Sequence, residues 1–196
     1  MRLVLASASP RRADLLRAAG YAFETLAVDL DERHRPGEPP EAYVARLARE
    51  KSAAAMRQLA DRESDVVVLG ADTTVVIDGE ILGKPVDERD SQRMLRRLSG
   101  RRHEVLTGIS LRTSTVERGR VVTTSVYMTE LSVDDVAWYV GSGEGRDKAG
   151  AYAVQGLASR FIPRIDGSYA NVVGLPVTAV AELLRELASA GSSGLF

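Results

Sequence analysis

Two rhythms of apolar residues run through the chain. Short unbroken runs suit buried strands, and stripes spaced three and four apart suit helices packed on a core. Residues 2–6 form the first run and lead into a Ser-rich turn. A helix follows from Pro10 to about Ala19, with Leu15 and Leu16 on its apolar face. Ser9 is placed as its N-cap, Pro10 at the first helical position and Gly20 at its end. FETLAV predicts a second strand, and LDERHRPGEPP, with three prolines, a polar loop. Pro40 then opens a long amphipathic helix through EAYVARLAREKSAAAMRQLA. DVVVLGADTTVVIDGEILGKP holds two apolar runs around a tight turn at Asp78-Gly79, and VVVLGA reads as a strand that gives out at Asp72. DERDSQRMLRRLSG predicts a helix closed by Gly100. HEVLTGISLRT and RVVTTSVYMTEL predict strands joined by a turn at Glu117–Gly119. SVDDVAWYVGSG predicts a short helix capped by Ser132, with Asp134 and Asp135 in its first turn. The stretch from DKAGAYAVQG to GSYANVVGLP reads mostly as loop and short strand, before a last helix from about Val177 to Ala190.

Strands and helices intermix, with hairpins as well as crossovers. The expected class is α/β with a mixed sheet, not a regular doubly wound pattern. At 196 residues the chain is long enough for one large domain or a closely joined pair of lobes. No repeat or linker interrupts it. Lys plus Arg (26) nearly balance Asp plus Glu (27), so no global field favours nucleic acid or a membrane surface. Anion binding has to come from local clusters. The absence of cysteine removes disulfides, thiolate nucleophiles and Cys-ligated zinc together. LVLA is too short for a signal h-region and no run reaches transmembrane length, so a soluble cytoplasmic protein is expected.

No P-loop, GxGxxG or GxSxG motif is present, and DGEILGKP lacks the first glycine and the hydroxyl residue of a P-loop. His34 and His103 are the only histidines, and both read as ordinary surface or strand residues. Asp72 reads either as a carboxylate facing a crevice at a strand end or as a turn residue. Lys84 and Lys51 read equally as solvated side chains, Lys51 by snorkelling from its helix. Asp147-Lys148 reads as a surface pair. Arg11 and Arg12 stand out, because cations at a helix N-terminus cost roughly 0.3–1 kcal/mol. They suit a bound anion better than an empty helix, and with the two lysines and the acid they form a polyphosphate-binding inventory. On this reading, neutralising either arginine stabilises the free protein or costs it little.

The blocks SASPRRADLL, VARLAREKS, GADTTVV with LGKP, SGRRHEVLTGISL, DKAGAYAVQG and GSYANVVGLP, in that order from Ser7 to Pro176, resemble the Maf family of nucleoside triphosphate pyrophosphatases. The resemblance implies an inosine-triphosphatase-like α/β fold: one domain over residues 1–196, an elongated mixed sheet flanked by helices, and two lobes around a central cleft. It implies hydrolysis of the α–β phosphoanhydride to a nucleoside monophosphate and pyrophosphate, with a divalent cation (Mg2+ or Mn2+). Asp72 matches the catalytic acid that takes the proton of the attacking water. Ser7, Arg12, Lys51 and Lys84 match the phosphate site, and Glu32 matches an acid that acts with Asp72 through metal. Arg11, Thr73 and Gln155 match the triplet of the branch acting on dTTP and UTP, which favours a pyrimidine substrate. A homodimer stays open. So do two other readings: a nucleotide-binding regulator of cell division, and a purine house-cleaning enzyme of the inosine-triphosphatase type. The resemblance assigns no role to SYANVV.

Overall fold

A computed structural model describes residues 2–59 and 65–192. Among them seven strands form one mixed sheet: β1 (Arg2–Ala6), β2 (Glu24–Thr25), β3 (Val66–Ile77), β4 (Glu80–Leu82), β5 (Arg102–Arg112), β6 (Glu117–Tyr127) and β7 (Arg164–Asp166). Their order is β2-β1-β3-β5-β6-β7, with β4 on β3. β1 runs parallel to β2 and β3, whereas β3–β4 and β6–β7 are antiparallel. The helices are α1 (Pro10–Ala18), α2 (Pro40–Leu59), α3 (Glu88–Leu98), α4 (Val133–Ser142), α5 (Tyr169–Val173) and α6 (Val177–Ser192). Two 3-10 turns cover Ala149–Ala151 and Leu157–Phe161. The mixed α/β class expected from the sequence is thus observed. No helix among the described residues is long and apolar enough to cross a membrane.

The chain divides into two compact units. The first holds residues 1–72, 107–122 and 174–196, the second residues 73–106 and 123–173. In the first, the period-2 alternation of strand side chains sorts residues onto two faces. Leu3, Leu5, Val67, Leu69 and Ala71 point to a core shared with Ala13 and Leu16 of α1 and with Ala179, Val180 and Leu183 of α6. Val4, Ala6, Val66 and Val68 point the other way, onto Ala55 of α2. In the second unit Val75, Ile77, Val105 and Val126 of the strands pack with Met94, Leu95 and Leu98 of α3 and Val136 and Tyr139 of α4.

Local rules hold at several ends. Asp78 (φ 52°) and Gly79 (φ 77°) make the tight turn between β3 and β4. Ser132 and Asp135 form a reciprocal capping box at α4. Four expectations are corrected. Ser9 makes no side-chain cap; its N–H donates to Ser7 Oγ instead. FETLAV pairs only at Glu24 and Thr25, and Leu26 and Val28 pack against the core instead of extending the strand. The turn between β5 and β6 lies at 113–116, where Thr113 Oγ1 accepts from the N–H groups of Thr115 and Val116. Glu117 and Gly119 already belong to β6. Finally, YANVV is the short helix α5, held by Asn171, whose Nδ2 donates to Val105 O and Thr124 Oγ1. Ala60, the expected last residue of the long helix, lies outside the described residues.

His103 is buried in β5 and shares a 2.7 Å hydrogen bond through Nε2 with the Tyr152 hydroxyl. Burial pushes its pKa down to about 4. The folded state therefore stays neutral where the unfolded chain, near the ordinary histidine value of 6.5, takes up a proton. Stability from this residue is present above pH 6.5 and is lost as the pH falls toward 4. At about 1.4 kcal/mol per pH unit, the loss across that window is on the order of 3 kcal/mol. Melting curves of the native protein should show this decline, and His103→Gln should flatten it between pH 6.5 and 4.5.

Candidate active site

The parallel pairing of β1 and β3 ends at Ala6 opposite Gly70. One residue on along β1 is Ser7, and two residues on along β3 is Asp72, so the turn into α1 emerges beside that carboxylate. Asp72 has the parity of Val66, Val68 and Gly70 and therefore faces α2. The helix backbone comes very close to the sheet there. A Cβ on Gly70 would lie 2.1 Å from Ala48 O, and one on Gly108 would lie 2.3 Å from Val44 O. Only glycine admits such an approach. On α2, Val44, Leu47, Ala48, Lys51, Ser52 and Ala55 form the buried stripe, so Lys51 points inward.

Lys51 Nζ lies 2.7 Å from Asp72 Oδ1 and 2.6 Å from Glu32 Oε1. The Lys51 and Asp72 side chains are only 9% and 11% exposed, whereas Glu32 is 47% exposed. One ammonium thus bridges a buried carboxylate and a solvent-facing one. Arg12 is buried nearby; its Nε donates to Gly174 O at 2.8 Å and its Nη1 to Ser7 Oγ at 3.2 Å. Desolvation lowers the Arg12 pKa, and the charges of Asp72 and Glu32 oppose that shift while Arg11 adds to it. A guanidinium keeps its charge regardless. The Glu32 loop is tied to α2 by several bonds. Tyr43 OH donates to Glu32 O at 3.0 Å, and Arg46 grips Glu38 at 2.6 and 2.8 Å and Arg33 O at 3.2 Å. Burial, then the charges of Asp72 and Glu32, push the Tyr43 phenol up to about 12, so it stays a donor.

Ser7, Arg12, Glu32, Lys51 and Asp72 are therefore brought together within the first unit. Arg11 reaches this group through its charge on Arg12. Thr73, Lys84 and Gln155 belong to the second unit: Thr73 follows Asp72 in β3, Lys84 follows β4 and is exposed, and Gln155 sits exposed before the second 3-10 turn. His34 and His103 stay outside the group, as expected, and Asp147 pairs with Lys148 at 2.5 Å. Two readings change. Asp72 is neither a strand end nor a turn residue but lies inside β3, because Lys51 meets its charge within the core. Lys51 does not snorkel. Arg12, read as an anion-binding cation, also holds the segment before α6 through Gly174 O. Sequence reasoning also missed Tyr43 and Arg46; their spacing from Leu47 and Glu50 marks a shared helix face, but nothing marks their reach to the loop.

The structure reverses the expected sign for Arg12. Arg12→Ala should destabilise the free protein, because a charge-assisted hydrogen bond of about 1.5–3 kcal/mol is lost from a buried position. A melting temperature several degrees lower is expected. An unchanged or raised value would show that the bond to Gly174 contributes nothing.

A chain-wide comparison decides the lineage of this arrangement. The family model for Maf-like proteins matches residues 2–187. The chain belongs to the Maf family. A dTTP/UTP pyrophosphatase of Anaeromyxobacter dehalogenans is 52% identical over 188 residues, covering 94% of this chain and 93% of its own length. Proteins of the same name from Hahella chejuensis and Shewanella oneidensis are 50% and 49% identical, over 94% and 95% of this chain and 92% and 98% of their own. The solved Ham1 protein of Staphylococcus aureus aligns over 65% of this chain and 72% of its own, with a TM-score of 0.46 and 17% identity.

For a Maf-family site, the fit to a divalent cation can be judged from the donor atoms. Asp72 and Glu32 each aim one oxygen at a single point, the Lys51 ammonium. Two carboxylates converging on one positive charge suit a hard cation that takes its other ligands from phosphate and water. No cluster of three or more such side chains occurs among the described residues.

Proposed function

We infer that this chain hydrolyses dTTP and UTP to the nucleoside monophosphate and pyrophosphate. The names of the relatives at about half identity over most of the chain support this substrate class. The structural observation that carries the reading is the buried Lys51 ammonium between Asp72 and Glu32, with Arg12 and Ser7 beside it.

Cleaving a phosphoanhydride needs positioning and charge neutralisation more than covalent help. Lys51, Arg12 and Ser7 bind the phosphate oxygens, the role the family resemblance also gives to Lys84. Asp72 orients the attacking water and accepts its proton. Its carboxylate is held inside a strand, so its direction is fixed before substrate arrives. Asp72 and Glu32 together would hold Mg2+ or Mn2+, which when bound neutralises phosphate charge and acidifies water. Arg11, Thr73 and Gln155 select the base; the Gln155 amide offers one donor and one acceptor, matching the imide N–H and carbonyl of uracil or thymine.

The test is a panel of nucleoside triphosphates with pyrophosphate detection, run with magnesium or manganese and with excess chelator. Equal amounts of monophosphate and pyrophosphate from dTTP and UTP are expected, with turnover lost in chelator. Release of single phosphates, or no turnover on any nucleotide, would refute the reading; full turnover in chelator would refute the metal.

A further inference from the structure

We propose that Glu144 is a positioning residue for base selection: its carboxylate, shared with Tyr139, fixes the backbone on both sides of Gln155. The proposal rests on the base-selecting role given to Gln155 above.

All the groups concerned lie within the second unit. Gln155 occupies a tight turn closed by Gly156 N–H donating to Ala153 O at 3.1 Å. On the near side of that turn, Ala153 N–H donates to the Tyr139 hydroxyl at 3.0 Å. On the far side, Leu157 N–H donates to Glu144 Oε1 at 2.9 Å and Ala158 N–H to Oε2 at 3.4 Å. The Tyr139 hydroxyl closes the ring by donating to Glu144 Oε2 at 2.7 Å. Tyr139 itself is anchored in the core by α4. Burial, then the Glu144 hydrogen bond, raise its pKa, so its proton stays available for that bond. One phenol and one carboxylate therefore brace the turn from two residues before Gln155 to three after it.

The fit is tight. A Cβ on Gly156 would lie 1.9 Å from Glu144 Oε1, so the carboxylate rests against the residue that follows Gln155. The Gln155 side chain is exposed and gains no direction from packing of its own. Its placement depends on its backbone, and the backbone depends on Glu144. A second tie, Gly150 N–H to Gly83 O at 3.0 Å, joins the start of this segment to the residue before Lys84. A hydrogen-bonding site of this kind discriminates bases only when donor and acceptor are correctly placed.

The experiment measures kcat/KM for dTTP and dCTP on full-length wild type and on Gln155→Ala, Glu144→Gln and Gly156→Ala, each checked by melting. Gln155→Ala should lower the dTTP-to-dCTP ratio, which tests the underlying role of Gln155. Glu144→Gln keeps the shape but presents an amide to N–H donors. It should lower the same ratio by about ten- to a hundredfold, mainly through KM for dTTP, with kcat little changed. Gly156→Ala displaces the carboxylate without removing it and should act in the same direction. If Gln155→Ala leaves the ratio unchanged, the role of Gln155 fails and this proposal with it. A ratio that responds to Gln155→Ala while the folded Glu144→Gln and Gly156→Ala proteins keep the wild-type value overturns the proposal alone. So does an equal loss on both nucleotides.

Discussion

Asp72→Asn should lower dTTP turnover by about 10²–10⁴-fold, the range expected when a proton acceptor is removed from a transition state. The substitution keeps the shape of a side chain that lies inside β3 and removes only its charge. Lys51 keeps Glu32 as its partner at 2.6 Å, so the ammonium is not left alone. The amide oxygen can still accept from it. The fold should survive with a melting temperature within a few degrees of wild type. Steady-state pyrophosphate release beside a melting curve measures both. A folded variant with near-wild-type turnover would remove Asp72 from the chemistry.

Lys51→Met should do more damage to the fold than Asp72→Asn does, because the two sides of this ion pair are not equivalent. Removing the ammonium leaves the Asp72 and Glu32 carboxylates facing each other, with Asp72 only 11% exposed. Breaking a buried pair from one side typically costs about 3–5 kcal/mol. Arg12, whose charge is felt by both acids, offsets part of that. A fall of about ten degrees in melting temperature is expected for a chain of this size. Turnover should be lost as well, since the phosphate loses its buried cation. Calorimetry should show Mn2+ binding the nucleotide-free variant more tightly than wild type, because the lysine no longer competes for the two carboxylates. A variant as stable as wild type, or no tighter toward Mn2+, would contradict the bridging role.

Much of the fold was legible because period and punctuation agreed. The α2 stripe, the Asp78-Gly79 turn, the Ser132 cap and the mixed sheet all follow from local chemistry. The misses have separate physical causes. A carboxylate in an apolar run reads as a break, yet β3 continues through Asp72 because a lysine from α2 neutralises it. That lysine was itself open to detection. Lys51 is spaced four from Leu47, three from Ala48 and four from Ala55, which puts it on the buried stripe, and Arg12 stands four before buried Leu16 in the same way. A cation on an apolar stripe is a stronger sign of a site than a cation at a helix end. The turn at 113–116 was misplaced because Glu117 and Gly119 looked more turn-like than Thr113, whose hydroxyl forms it. The reach of Tyr43 and Arg46 to the Glu32 loop left no pattern in the sequence, since contacts between a helix and an irregular loop have no period.

The most direct test of the Asp72 cluster is a crystal structure with Mn2+ and a non-hydrolysable dTTP analogue, with manganese located by anomalous scattering. The expected result is a manganese peak on the Asp72 and Glu32 carboxylates, the triphosphate against Arg12 and Ser7, and Lys51 turned from the acids to a phosphate oxygen. A triphosphate bound elsewhere, with Lys51 still bridging Asp72 and Glu32, would contradict it.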